Sequence, residues 1–117
     1  MDQFFGERQT ARRLYAKALN LVQTLGPTGT RITKSQVAFS RRRGFAWIWT
    51  PDRYLGTRAT APLVLSIALS RRDGSPRWKQ VIEPSPGRFM HHLEVHSESD
   101  LDGEVVRWLA EAWSDAA

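Results

Sequence analysis

Leu63-Val64-Leu65-Ser66-Ile67-Ala68-Leu69-Ser70 is the stretch that decides the fold. Apolar side chains stand at both parities, so both faces of an extended strand would be buried. That predicts a central strand. Ser66 is the polar interruption. The longest apolar run, residues 61–69, falls far short of the roughly 18 residues that a membrane span needs.

Downstream, Arg71-Arg72-Asp73-Gly74-Ser75-Pro76 predicts a turn, and residues 78–83 a return strand. Pro84-Ser85-Pro86-Gly87 predicts a second turn into a strand over 88–96. In that strand Phe89, His91, Leu93 and Val95 share one face; Met90, His92, Glu94 and His96 share the other. Upstream, 30–33, 36–40 and 45–50 alternate with a period of two. Arg41-Arg42-Arg43-Gly44 joins the last two as a hairpin turn, with Gly44 supplying a positive φ. Phe45, Trp47 and Trp49 fall on one face of the third segment, Ala46 and Ile48 on the other. Residues 51–62 read as a loop between Pro51 and Pro62.

Both ends are helical in pattern. Over 8–25, Ala11, Leu14, Ala18, Leu21, Val22 and Leu25 recur at helical spacing. Gly26-Pro27 ends that helix, and Phe4 and Phe5 are expected to tuck beneath the same core. A second helix is predicted from about Glu98 to Trp113, capped by Ser97 or Ser99, with Leu101, Val105, Trp108, Leu109 and Ala112 as its apolar stripe. The fold class is therefore α+β: an antiparallel sheet of about five to six strands in meander order, with N- and C-terminal helices packed on one face. The expected core is Leu14, Leu21, Val22, Leu65, Ile67, Phe89, Leu93, Leu101, Val105 and Trp108. The 117 residues make one domain, 1–117, with 41% hydrophobic and 25% charged residues, an ordinary globular balance.

The chain contains no cysteine, which rules out disulfides and thiolate metal sites. The opening Met1-Asp2-Gln3-Phe4-Phe5 lacks a basic stretch followed by an apolar one, so a cytoplasmic location is expected. The formal net charge is +5 and is unevenly spread. Residues 1–96 hold sixteen basic and six acidic side chains; residues 97–117 hold one and six. A basic body attracts nucleic acid, phosphorylated ligands or acidic partners, although an arginine-rich composition also follows from a GC-rich genome.

Lys34-Ser35-Gln36-Val37-Ala38-Phe39, Arg41-Arg42-Arg43-Gly44-Phe45-Ala46-Trp47, Leu63-Val64-Leu65-Ser66, Arg88-Phe89-Met90-His91-His92, Asp100-Leu101-Asp102 and Trp108-Leu109 together resemble the bacterial domain-of-unknown-function family 5655. The likeness covers nearly the whole chain. It implies the same α+β architecture and carries no established activity. A weaker likeness, in element order only, is to frataxin-like small domains. Arg8, Arg12 and Arg13 stand where those domains carry acidic residues, so this likeness concerns the fold alone.

Four groups of residues are candidates for chemistry. Lys34, Arg41, Arg42, Arg43, Trp47, Trp49, Arg71, Arg72, Arg77 and Lys79 form a basic, aromatic set. Arginine forks onto phosphate and tryptophan stacks on bases, although the indoles would equally fit a core. If both arginine turns lie at one end of the sheet, their fields add. His91, alternating with core residues, is either a satisfied core histidine or an acid/base group at a cleft rim. His92, Glu94 and His96 align on one face, but only neighbours in such a row converge readily, so no metal site is expected. Lys34, Ser35 and Gln36 offer an anion contact or a polar loop. No nucleophile motif is visible.

The leading expectation is a binding module without catalysis. It would engage a nucleic acid or an acidic protein through Lys34, Arg41, Arg42, Arg43, Trp47, Arg71, Arg72 and Lys79, with no membrane and no cofactor. The alternative is a small-ligand or metal pocket built around His91/His92, Lys34 and Trp47, with Gln36 and Trp49 beside them, and with enzymatic activity open.

Overall fold

The computed structural model describes residues 9–33, 36–50 and 61–117. Lys34, Ser35, Arg8, the loop over 51–60 and the packing of Phe4 and Phe5 lie outside the described residues. Helix α1 is Gln9–Gln23; strands β1 to β6 are Gly29–Ile32, Gln36–Ser40, Gly44–Trp49, Leu63–Leu69, Gln80–Ser85 and Arg88–Val95. A short 3-10 turn, Glu98–Asp100, precedes helix α2, Gly103–Asp115.

The six strands form one antiparallel sheet in the order β1-β2-β3-β4-β6-β5. Sequence neighbours pair through β4. The strand that returns alongside β4 is then β6, and β5 takes the outer edge. Burial explains this exchange: β4 is buried along its whole length, β6 alternates, and β5 is exposed except for a half-buried Val81. An edge suits β5 further because Pro84 cannot donate to a ladder. Pro86 and Gly87, the latter at φ 76°, turn β5 directly into β6.

Both helices pack on one face, over Val37, Ile48, Leu65, Ile67, Leu93 and Val95. Of the expected core, Leu21 and Phe89 are half-buried and the rest are buried; Tyr15 and Trp78 join them. Two local expectations change. Gly44 does not take a positive φ; Gly26 and Gly87 do. The second helix begins at Gly103 rather than near Glu98, because Asp102 supplies the cap by accepting from the Val105 N–H at 3.2 Å. Asp100 Oδ2 instead accepts from the His96 and Ser97 amides at 2.9 and 3.2 Å and ties the 3-10 turn.

A bulge lies where β2 meets β3. Phe39 pairs with Ala46 and Ser40 with Gly44, leaving Phe45 as the extra residue. Phe45 and Ala46 are both buried as a result, and strict alternation resumes only at Trp47. Ala46 and Ile48 face the helices; Trp47 and Trp49 lie on the other face and so do not join the helix-covered core.

Candidate functional site: the helix-free face of the sheet

The pairing register places one residue from each strand in a single row across the helix-free face: Arg31, Ala38, Trp47, Ser66, His92 and Gln80. Adjacent members are about 5 Å apart. Gln36, Trp49, Val64 and Glu94 form the next row. Arg88 and Met90 precede His92 on the same face of β6.

Ser66 sits within a chain of hydrogen bonds. The Trp49 Nε1–H donates to Ser66 Oγ at 3.1 Å, and Ser66 Oγ lies 2.7 Å from His92 Nδ1. A hydroxyl has one proton to give. The indole occupies one lone pair of the oxygen, and the hydroxyl proton is available to His92 Nδ1 when the neutral ring carries its own proton on Nε2. Burial, and secondarily the neighbouring His91, push the His92 imidazole below its ordinary value of 6.5, which favours the neutral ring that this bond requires. Ser66 is only 3% exposed. No carboxylate among the described residues holds the distal nitrogen of His92, so the described residues assemble no Ser–His–acid triad here.

Trp47 and Arg88 make the second part of the face. The Trp47 ring lies back against Gly44, and Arg88 Nη2 donates to Gly44 O at 3.0 Å, which puts the guanidinium 6.0 Å from the ring centre. Arg88 forms no ion pair with a described carboxylate. It is a tethered cation beside a half-exposed indole, a combination able to receive an anion next to a planar group.

His91 is part of the core. It is 0% exposed. Its Nδ1–H donates to Phe89 O at 3.1 Å, and its Nε2 accepts from the Asp73 amide at 2.9 Å. Both nitrogens are therefore satisfied by backbone, and Trp78 packs on the ring at 4.8 Å. Asp73 organises the turn that follows β4 by accepting from Trp78 Nε1, Ser75 N and Arg71 Nη1 at 2.8, 3.0 and 2.9 Å. The placement of His91 removes it from the pocket expected around His91/His92.

The arginine turns do lie at one end of the sheet, since β3 and β4 run antiparallel with Ala46 opposite Ile67. Most of their side chains are engaged inside the fold. Arg41 donates to Trp113 O at 3.0 Å and stacks on the Trp113 ring at 3.5 Å; Arg43 donates to Asp115 O at 3.1 Å; the Arg42 amide donates to Ala116 O at 2.9 Å. Three consecutive residues thus satisfy the carbonyls at the end of α2, where the helix dipole is negative. Arg71 forks onto Glu111 at 2.8 and 2.9 Å. Arg77 contacts both carboxylate oxygens of Asp102, Glu104 Oε1 and the Asp100 carbonyl at 2.7–3.1 Å. The acidic C-terminal segment is folded against these cations, so the basic surplus of the body is partly neutralised there.

Arg42, Arg72 and Lys79 are exposed. Arg72 lies 5.4 Å from the Phe89 ring centre, and the Lys79 amide donates to His92 O at 2.7 Å. Gln36 anchors the start of β2 through Thr33, whose amide donates to its carbonyl at 2.9 Å. A cleft at the turn end is lined by Arg43, Phe45, Leu69, Arg88, Ala112 and Asp115 among others; neither His91 nor His92 lines it. Glu94 Oε1 stands 3.7 Å from His96 Nε2, and among the described residues no three of His, Asp and Glu converge as metal ligands.

Sequence reasoning missed Ser66 as a site residue. The signal was its position, because a hydroxyl inside a buried apolar strand requires hydrogen-bond partners.

The fold and this face define a small α+β domain with helices on one side and an aromatic, basic sheet surface on the other. The chain belongs to the DUF5655 family, a domain of unknown function, whose match spans residues 1–116. No curated protein matches the chain, and no solved structure does. Among the described residues, no helix is long and apolar enough to cross a membrane.

Proposed function

We propose that this domain is a non-catalytic binding module of the cytoplasm whose partner is a single-stranded nucleic acid, held on the helix-free face. The observation that carries this reading is the pairing of Trp47 with Arg88: a half-exposed indole beside a guanidinium tethered at 3.0 Å to Gly44 O. Bases stack on an indole without regard to sequence, and the guanidinium supplies a contact for the adjoining phosphate. Arg31 at one end of the row and Arg42, Arg72 and Lys79 around the rim would add long-range attraction. Arg41, Arg43 and Arg71 contribute less, because their guanidinium groups already have partners.

The test is a titration of a labelled single-stranded oligonucleotide at low and physiological salt. Trp47→Ala is expected to weaken binding roughly tenfold, the scale of one stacked base. Arg88→Gln is expected to weaken it and to flatten the salt dependence by about one phosphate's worth. Absence of wild-type binding even at low salt defeats the nucleic-acid reading and leaves an acidic protein as the partner to seek. Unchanged affinity in both variants defeats the assignment of the face.

A further inference from the structure

Resting on that reading of the helix-free face, we infer that the Trp49–Ser66–His92 chain fixes His92 as an Nε2–H donor, and that this donor reads a hydrogen-bond acceptor on the edge of a nucleobase stacked at Trp47. The first half follows from proton counting. Ser66 Oγ is reached by two groups, Trp49 Nε1 at 3.1 Å and His92 Nδ1 at 2.7 Å. The indole nitrogen can only donate. If His92 Nδ1 also donated, the serine would accept twice and its own proton would be left without an acceptor in a nearly buried position, an arrangement that folded proteins avoid. The serine therefore donates to Nδ1, and the proton of the neutral ring resides on Nε2.

Nε2 has no partner among the described residues. The donor lies on β6 beside Met90 and Arg88, and Trp47 lies on β3, with β4 and the small Ser66 between them. Two strand spacings, roughly 10 Å, separate the indole-bearing strand from the imidazole-bearing one. A base on the indole, extended over β4 toward β6, brings its edge toward His92. An Nε2–H matches a carbonyl oxygen or an unprotonated ring nitrogen and mismatches an exocyclic amine. Trp49 and Ser66 are positioning residues here: they set which nitrogen carries the proton, and His92 makes the contact.

Long-range proton–nitrogen NMR correlation on histidine-labelled protein, at a pH well above the ordinary imidazole value of 6.5, reads the tautomer directly. The expected result is Nε2–H for His92 in the wild type and loss of that selection in Ser66→Ala. An Nδ1–H signal in the wild type overturns the inference whatever binds. The second arm compares an oligothymidylate with an abasic strand of equal length. His92→Phe and Ser66→Ala are each expected to weaken thymidylate binding roughly three- to tenfold, the scale of one hydrogen bond, and to leave abasic binding unchanged. An equal loss on both strands assigns the contact to phosphate and overturns the base-edge claim. Thymidylate binding that is intact in both variants overturns it while the surface reading stands. If the wild type binds neither strand, the surface reading and the base-edge claim fall together, and the tautomer result tells that case from a faulty relay.

Discussion

Gly44 and Trp47 share a space that admits no additional carbon: a Cβ on Gly44 would stand 2.6 Å from Trp47 Cζ2. The glycine is required for this close approach, since its φ is not positive. The neighbour that would have to yield is the far end of an indole, not backbone. Gly44→Ala is therefore expected to cost about 1 kcal/mol while displacing the Trp47 ring. Intrinsic fluorescence should change more than the urea midpoint does. A large stability loss with unaltered Trp47 emission would show that the ring is locked and the hairpin yields instead.

Leu65 in the central strand and Trp108 on α2 are both buried, Leu65 under the helices and Trp108 against Trp78 at 4.2 Å between ring centres. Truncating either to alanine should cost roughly 2–5 kcal/mol by loss of burial and creation of a cavity. Denaturant unfolding measures it. Values near zero at both positions would mean that the helix and strand phases are wrong.

The three adjacent arginines of the first turn should separate in stability measurements. Arg41 and Arg43 donate through their side chains to the end of α2, whereas Arg42 does so through its backbone amide. Arg41→Gln and Arg43→Gln are each expected to lower stability by about 0.5 kcal/mol, the scale of a cation at a helix C-terminus. Arg42→Gln should leave it unchanged. Equal effects from all three would show that the helix end is not held by these side chains.

Acid should destabilise the domain in two stages. Burial pushes the His91 and His92 imidazoles below 6.5. The unfolded chain then binds more protons than the folded one, so stability is full above 6.5 and declines as the pH falls below it. For Asp73 and Asp102 burial alone would raise the carboxyls, but hydrogen bonds outweigh it: from Trp78, the Ser75 amide and Arg71 to Asp73, and from Arg77 and the Val105 amide to Asp102. Both end below 3.8. Their contribution is present above that value and lost below it. Melting temperature followed against pH checks both stages, and His92→Phe should shrink the first. A flat profile between about pH 7 and pH 5 would contradict neutral, buried histidines.

The α+β class and most of the core were legible because local patterns carried them: the apolar run at 63–69, the change to a period of two near residue 30, and the helical stripes at each end. The face borne by Trp47 and Trp49 was ambiguous, since Ala46 and Ile48 opposite them are apolar too, and the bulge at Phe45 breaks the alternation that would have decided it. The Ser66–His92 contact could not be read along the chain. It depends on β6 rather than β5 lying beside β4, a choice made by competing burial over the whole sheet. The roles of Arg41, Arg43 and Arg71 depended on where α2 ends and on Glu111, which only the packed structure specifies.

The exchange of the last two strands also sets how far apart in the chain the partners of the sheet's closing contacts lie. The β5–β6 hairpin closes over the two residues Pro86 and Gly87, so it can form locally within about 1–10 μs. The pairing of β6 with β4 instead closes the longer stretch of chain between Leu69 and Phe89, which costs more chain entropy than the local hairpin does. The hairpin covers the edge of β4 that β3 leaves open, and the row joining Ser66 to His92 depends wholly on that non-local pairing.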